Sequence, residues 1–87
     1  MDKIIVKKPT AAEKEKAKKW PVWEHEPGNF PWEYKEKETC LIIEGKAVAH
    51  TDSGDFEFGK GDWVVFPKGL SCTWAIEESI KKHYKFG

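Results

Sequence analysis

Gly61-Asp62-Trp63-Val64-Val65-Phe66-Pro67-Lys68-Gly69-Leu70-Ser71-Cys72 is the stretch on which the fold turns. Glycine at 61 and 69 admits the positive φ of a tight bend, and Pro67 fixes φ just before the second one. Between the bends, Asp62–Phe66 is apolar on both faces, the mark of a short buried strand. Gly61, Pro67 and Gly69 therefore punctuate a strand–turn–strand unit.

Outward from this unit the same pattern repeats. Upstream, Gly59-Lys60-Gly61 forms a turn, and Phe56 and Phe58 alternate with Asp55 and Glu57 to give one buried face. Asp52-Ser53-Gly54-Asp55 turns again, and Ala47–Thr51 returns from a hairpin bend expected at Glu44-Gly45-Lys46. Glu38–Ile43 and Phe30–Lys35 read as two more strands, with a turn at Pro27-Gly28-Asn29. Downstream, Cys72–Ile76 and Ile80–Phe86 read as separate strands. Short strands between turns at intervals of about eight to twelve residues predict a β-sandwich or barrel.

The N-terminal region differs. Ile4-Ile5-Val6 is a short β-type run. Thr10 and Glu13 have the spacing of a capping box, and the good helix formers after them predict a helix over Ala11–Lys19. Glu15 and Lys19 stand at i,i+4 in the favourable order. Pro21 stops the helix. The dense charge marks a solvated face.

The chain has 87 residues, so a single domain is expected, with 1–20 as N-terminal strand and helix and 22–84 as the barrel. A chain this short buries about 60–65% of its unfolded surface, which leaves the core marginal. Five Trp, five Phe and two Tyr help to fill it. The basic residues are all Lys, matched by an equal number of acids, so the net charge is zero. A neutral chain with scattered Lys is a poor candidate for nucleic-acid binding, which needs a basic face. Without Arg there is no planar fork for phosphate or carboxylate. Gln is absent and Asn29 is the sole Asn; this Lys/Glu-rich composition leans towards a thermophilic source or a biased genome. No apolar run suits a signal peptide or a membrane span. Cys40 and Cys72 then read as free thiols in a reducing cytoplasm.

Glu38 and Gly45 stand with six residues between them, and Gly61, Pro67 and Gly69 keep the spacing Gly, five residues, Pro-x-Gly. Together with Trp20-Pro21-Val22-Trp23-Glu24, Glu38-Thr39-Cys40 and Lys82-His83-Tyr84, these motifs resemble the small single-domain cupins. The group is related to ureidoglycine aminohydrolase and the ethanolamine-utilisation Q protein. The resemblance covers residues 22–84 and implies an all-β fold: a double-stranded β-helix, or jelly-roll barrel, here with one short N-terminal helix. The cupin pattern also implies a metal held by His-x-His and Glu in the first motif and His in the second. Those positions fall on Trp32, Tyr34, Glu38 and Cys72 in this chain, so only Glu38 is retained. Trp offers no ligand atom. Tyr34, Glu38 and Cys72 lack the imidazole a borderline metal recruits. Neither a catalytic metal nor another cofactor is expected.

Side chains on a strand alternate with period two. Trp32, Tyr34, Glu38, Cys40 and Ile42 share one parity, as do Cys72, Trp74 and Ile76, and both sets are expected to face the lumen. Trp32, Tyr34, Glu38, Cys72 and Trp74 are therefore the candidate ligand-binding residues, and Glu38, Tyr34 and Cys72 the catalytic candidates. Leu41 and Ile43 then face outward, with Val64 and Phe66 assigned to the outer face as well. These patches need cover from the N-terminal segment or a second subunit, which leaves a homodimer open. His25 belongs at a loop or the barrel mouth. His83 faces water with Lys81 and Lys85. His50 faces away from Glu38 after an even-length hairpin loop and towards it after a bulged one.

Two functions follow. The first is metal-free binding of a small polar molecule, such as a sugar or small carboxylic acid, with aromatic faces stacking on it. The second is an enzyme, either a metal-dependent hydrolase as the resemblance implies or a Glu38–Tyr34 acid–base pair.

Overall fold

The computed structural model describes residues 3–87. Its elements run β1 (Ile5–Lys7), α1 (Ala11–Ala17), β2 (Val22–His25), β3 (Gly28–Glu33), β4 (Glu38–Thr51), β5 (Gly54–Gly59), β6 (Trp63–Phe66) and β7 (Ser71–Phe86). Two long antiparallel partners, β4 and β7, carry the architecture. Their pairing extends from Glu38↔Phe86 to His50↔Thr73. The first half of β4 also pairs with β6, and the second half of β7 with β2, giving the order β1-β6-β4-β7-β2. The other halves of the same two strands pair with β5 and β3. Both long strands bend midway, so the two halves fold over each other as a jelly-roll barrel. Among the described residues, no helix is long and apolar enough to cross a membrane.

The bend in β4 corrects the expected hairpin. Glu44-Gly45-Lys46 does not reverse the chain; it lies within one continuous strand, where the pairing with β7 shifts register between Ile42 and Ala47. Gly45 has φ +92°, and a Cβ there would lie 2.7 Å from Ile80 Cα and collide with the carbonyl oxygen of Ser79. Glycine is needed both for its conformation and for close passage over β7. The irregularity also reverses parity. Glu38, Cys40 and Ile42 are buried before it, Ala47 and Ala49 after it. Likewise Cys72–Ile76 and Ile80–Phe86 are one strand, and Gly28 and Asn29 belong to β3, leaving two residues to join it to β2.

The helix starts as its capping box dictates: Glu13 N–H donates to Thr10 Oγ1 at 3.1 Å and Thr10 N–H to Glu13 Oε1 at 2.9 Å. It ends at Ala17, short of the expected Lys19. Lys19 and Trp20 make i→i−3 bonds to Lys16 and Ala17, which tighten the last turn before Pro21. Lys18, not Lys19, pairs with Glu15. Ala17 is fully buried against Leu41 and Trp63, with Trp20, Ile43 and Val65 packed around them. The N-terminal segment thus covers the Leu41/Ile43 patch.

Val64 and Phe66 correct the expected outer face: both are wholly buried in the barrel core. Register supplies the reason. Directly paired residues share a face, and Cys40 is opposite Val64, Glu38 opposite Phe66, and Leu41 opposite Trp63. Phe66 stacks on Tyr34 at 4.9 Å, and Trp74 lies 5.4 Å from Phe66 and 5.0 Å from Phe58.

Gly45→Ala should destabilise the protein by about 3 kcal/mol, through a backbone clash and a strained φ together. Urea denaturation checks this, and a change below about 1 kcal/mol would contradict the close passage of β4 over β7.

Candidate functional site

Four polar side chains from three strand regions meet inside the barrel. Tyr34 follows β3 and is pinned across the Pro67–Gly69 turn: its N–H donates to Leu70 O at 2.8 Å, and Gly69 N–H donates to Tyr34 O at 2.7 Å. Glu38 opens β4, and Trp74 and Lys82 lie on β7. Trp74 Nε1 donates to Tyr34 Oη at 3.2 Å, Tyr34 Oη donates to Glu38 Oε1 at 2.9 Å, and Lys82 Nζ donates to Glu38 Oε2 at 2.8 Å. Glu38 is 3% and Lys82 5% exposed, so this is a buried ion pair. The ammonium also sits 4.5 Å from the Trp74 ring centroid and 4.8 Å from that of Trp23. A desolvated cation–π contact contributes up to about 2 kcal/mol. Buried charges are tolerated only when paired and hydrogen-bonded, and here both carboxylate oxygens have partners.

Burial and the adjacent Glu38 charge hold the Tyr34 phenol far above its ordinary range. Burial pushes the Cys40 thiol up to about 12. Cys72 is pushed up to about 11, mainly by burial, with Glu38 reinforcing the effect and Lys82 opposing it. Both cysteines are free and buried.

A pocket of about 250 Å³ opens onto this network. Tyr34, Glu38, Trp74 and Lys82 are its buried members, Trp23, Phe30 and Tyr84 are partly buried, and Trp32 and Phe86 are exposed. Four of the five expected binding residues, Trp32, Tyr34, Glu38 and Trp74, thus line one pocket. Cys72 does not; it pairs with Trp32 in register but lies in the packed core. Its raised pKa argues against a nucleophile.

Lys82 was not anticipated. Its parity with Ile80, Tyr84 and Phe86 was the available signal, opposed by the rarity of buried lysine. Trp23 and Phe30 were also missed, because pairing of β2 and β3 along β7 is a long-range fact. His83 is not simply water-facing: it is partly buried, with Nδ1 3.1 Å from Trp20 O. His25 packs beside the pocket wall, 5.3 Å from Trp23 and 4.9 Å from Phe30 between ring centroids. His50 faces away from Glu38, exposed, with Nδ1 2.8 Å from Asp55 Oδ1. It pairs with Thr73 and Asp55.

The family model of the EutQ-like cupin domain matches residues 12–84. The chain belongs to the EutQ-like cupin family. A crystal structure of a DUF861 family protein from Thermotoga maritima superposes on this cupin with TM-score 0.93 at 41% identity, covering 98% of this chain and 100% of that one. A putative ethanolamine utilisation protein Q from Salmonella typhimurium gives TM-score 0.69 at 22% identity, over 75% of this chain and 53% of that one. The Clostridium difficile EutQ protein gives 0.69 at 18%, over 75% and 52%. The latter two likenesses establish the fold alone. No curated protein matches the chain.

The residues of this cupin do not fit the metal that the cupin pattern implies. Both oxygens of Glu38, the one retained ligand, are engaged, one of them by an ammonium at 2.8 Å. Trp32 offers no lone pair for a metal. Among the described residues, no three His, Cys, Asp or Glu side chains are grouped to hold an ion.

Raised thiol pKa values stabilise the fold fully below about pH 9, where thiols of the unfolded chain stay protonated. That contribution is lost as pH climbs towards 11–12, because the unfolded chain ionises first. The melting temperature should therefore fall more steeply above pH 9 in the native protein than in a Cys40→Ala/Cys72→Ala variant. Identical slopes, or rapid labelling of both thiols in the folded protein at pH 8, would contradict the assigned burial.

Proposed function

We propose that this cupin binds a small polar molecule in its barrel without a catalytic metal. The observation that carries the reading is the pocket itself: aromatic walls converge on the Glu38–Lys82 pair and Tyr34. A ligand entering past Trp32 meets stacking surfaces first and polar atoms second, the usual division of labour in small-molecule sites. Cytoplasmic residence belongs to the same proposal and is supported by two free thiols.

Acid–base catalysis by Glu38 and Tyr34 has less support. The phenol already donates to the carboxylate at 2.9 Å and is held far from ionisation near neutral pH. A group that neither releases nor takes a proton there makes a poor partner in proton transfer.

A thermal-shift screen of sugars and small carboxylic acids should yield compounds that raise the melting temperature in a concentration-dependent way. Glu38→Gln and Tyr34→Phe should each reduce the shift, by about tenfold in affinity. A shift that survives both substitutions would place the ligand elsewhere.

A further inference from the structure

We infer that the pocket takes a planar, ring-bearing molecule with an acceptor oxygen, which the Lys82 ammonium receives. The inference rests on the small-molecule reading above and narrows it.

An inventory of donors and acceptors carries the argument. Glu38, the pocket's carboxylate, already accepts from Tyr34 on Oε1 and from Lys82 on Oε2. The Tyr34 oxygen both donates to Glu38 and accepts from Trp74. Each of these oxygens therefore has a donor already, with lone pairs to spare, whereas the buried ammonium has N–H bonds with no acceptor. An ammonium has three N–H bonds, and the one hydrogen bond of Lys82 goes to Glu38; what else surrounds its nitrogen is the ring faces of Trp23 and Trp74. Trp23 and Trp32 add two indoles to the lining. An indole nitrogen donates only, and an ammonium donates only. The complement of a donor-rich cavity is an acceptor.

The shape argument is independent of charge. Seven of the nine lining residues are aromatic, and the other two are the ion pair. Phe30 and Trp74 already stack on each other, 14° apart with centroids at 6.0 Å. Trp32 at the mouth is 47% exposed, a large indole surface left uncovered in the free protein. Offset stacking on such faces favours a flat body, and the pocket volume, about 250 Å³, suits one ring with small substituents. A carboxylate and a neutral carbonyl share the required chemistry. They differ in whether the ligand brings a charge to an ammonium already shared with Glu38.

Titration of 15N-labelled protein, followed by indole and backbone NMR shifts, tests this with benzoate (anionic ring acceptor), acetophenone (neutral ring acceptor), benzylammonium (cationic ring donor) and acetate (acceptor without a ring). Benzoate, acetophenone or both should shift the indole signals of Trp23, Trp32 and Trp74 with Kd near or below about 1 mM. Benzylammonium and acetate should bind at least about tenfold more weakly. Benzoate alone would mean that Lys82 reads charge; equal binding of both acceptors would mean that it reads a hydrogen bond. Lys82→Met should lower affinity by at least about tenfold. Because that change leaves the Glu38 charge unpaired, the double variant Glu38→Gln/Lys82→Met, with both charges gone, should lose the same affinity. Trp32→Ala, at the exposed mouth, should cost about fivefold without disturbing the core. Benzylammonium binding as tightly as the acceptors, undiminished affinity in the double variant or in Trp32→Ala, or no indole shift with either ring acceptor would overturn the inference. In that last case the broader small-molecule reading still stands or falls by the metabolite screen.

Discussion

Enclosing a carboxylate and an ammonium together in a barrel of this size constrains everything around them. Each ion taken from water costs several kcal/mol, and the mutual attraction offsets that only when geometry is good and other bonds are made. Glu38 meets the condition with two donors, and Lys82 meets it with one carboxylate and two indole faces. Removing either partner would strand a charge, whereas an apolar pair of similar volume could be as stable. Stability alone does not explain why the pair is there. The pair lines a pocket otherwise walled by aromatic rings.

The fold exists in a form that makes this meeting possible. Glu38 and Lys82 lie on the two long strands, and Tyr34 reaches them from the turn that Leu70 and Gly69 clamp. The bend at Gly45 lets β4 serve both halves of the barrel, and the accompanying shift in register turns Ala47 and Ala49 inward where small side chains leave room for Trp74 and Phe58. Helix α1 and Trp20 close the outer face over Leu41 and Trp63. Where the general cupin pattern implies imidazoles around a metal, this chain has an internal ammonium beside Glu38.

Structure is legible in the sequence where a few adjacent residues decide the outcome. Thr10 and Glu13 form their capping box, and of the set sharing one parity Tyr34, Glu38, Cys40 and Ile42 are buried, whereas Trp32 is left 47% exposed. The failures have physical causes. A glycine between charged residues looks the same in a hairpin and in a bulge, so the local sequence at Gly45 does not distinguish them. Val64 and Phe66 sit in a run apolar on both faces, where no alternation distinguishes inside from outside. Lys82 becomes intelligible only once β7 is known to lie beside both β4 and β2, because its partners Glu38 and Trp23 are remote in sequence.

The most direct measurement is NMR of the Lys82 side-chain ammonium with 15N-labelled lysine. Held by Glu38 and flanked by Trp23 and Trp74, its protons should exchange slowly with water, resonate upfield through ring currents, and lose that protection in Glu38→Gln. A Lys82 ammonium that exchanges as fast as the surface lysines and shows no ring-current shift would contradict the buried pair.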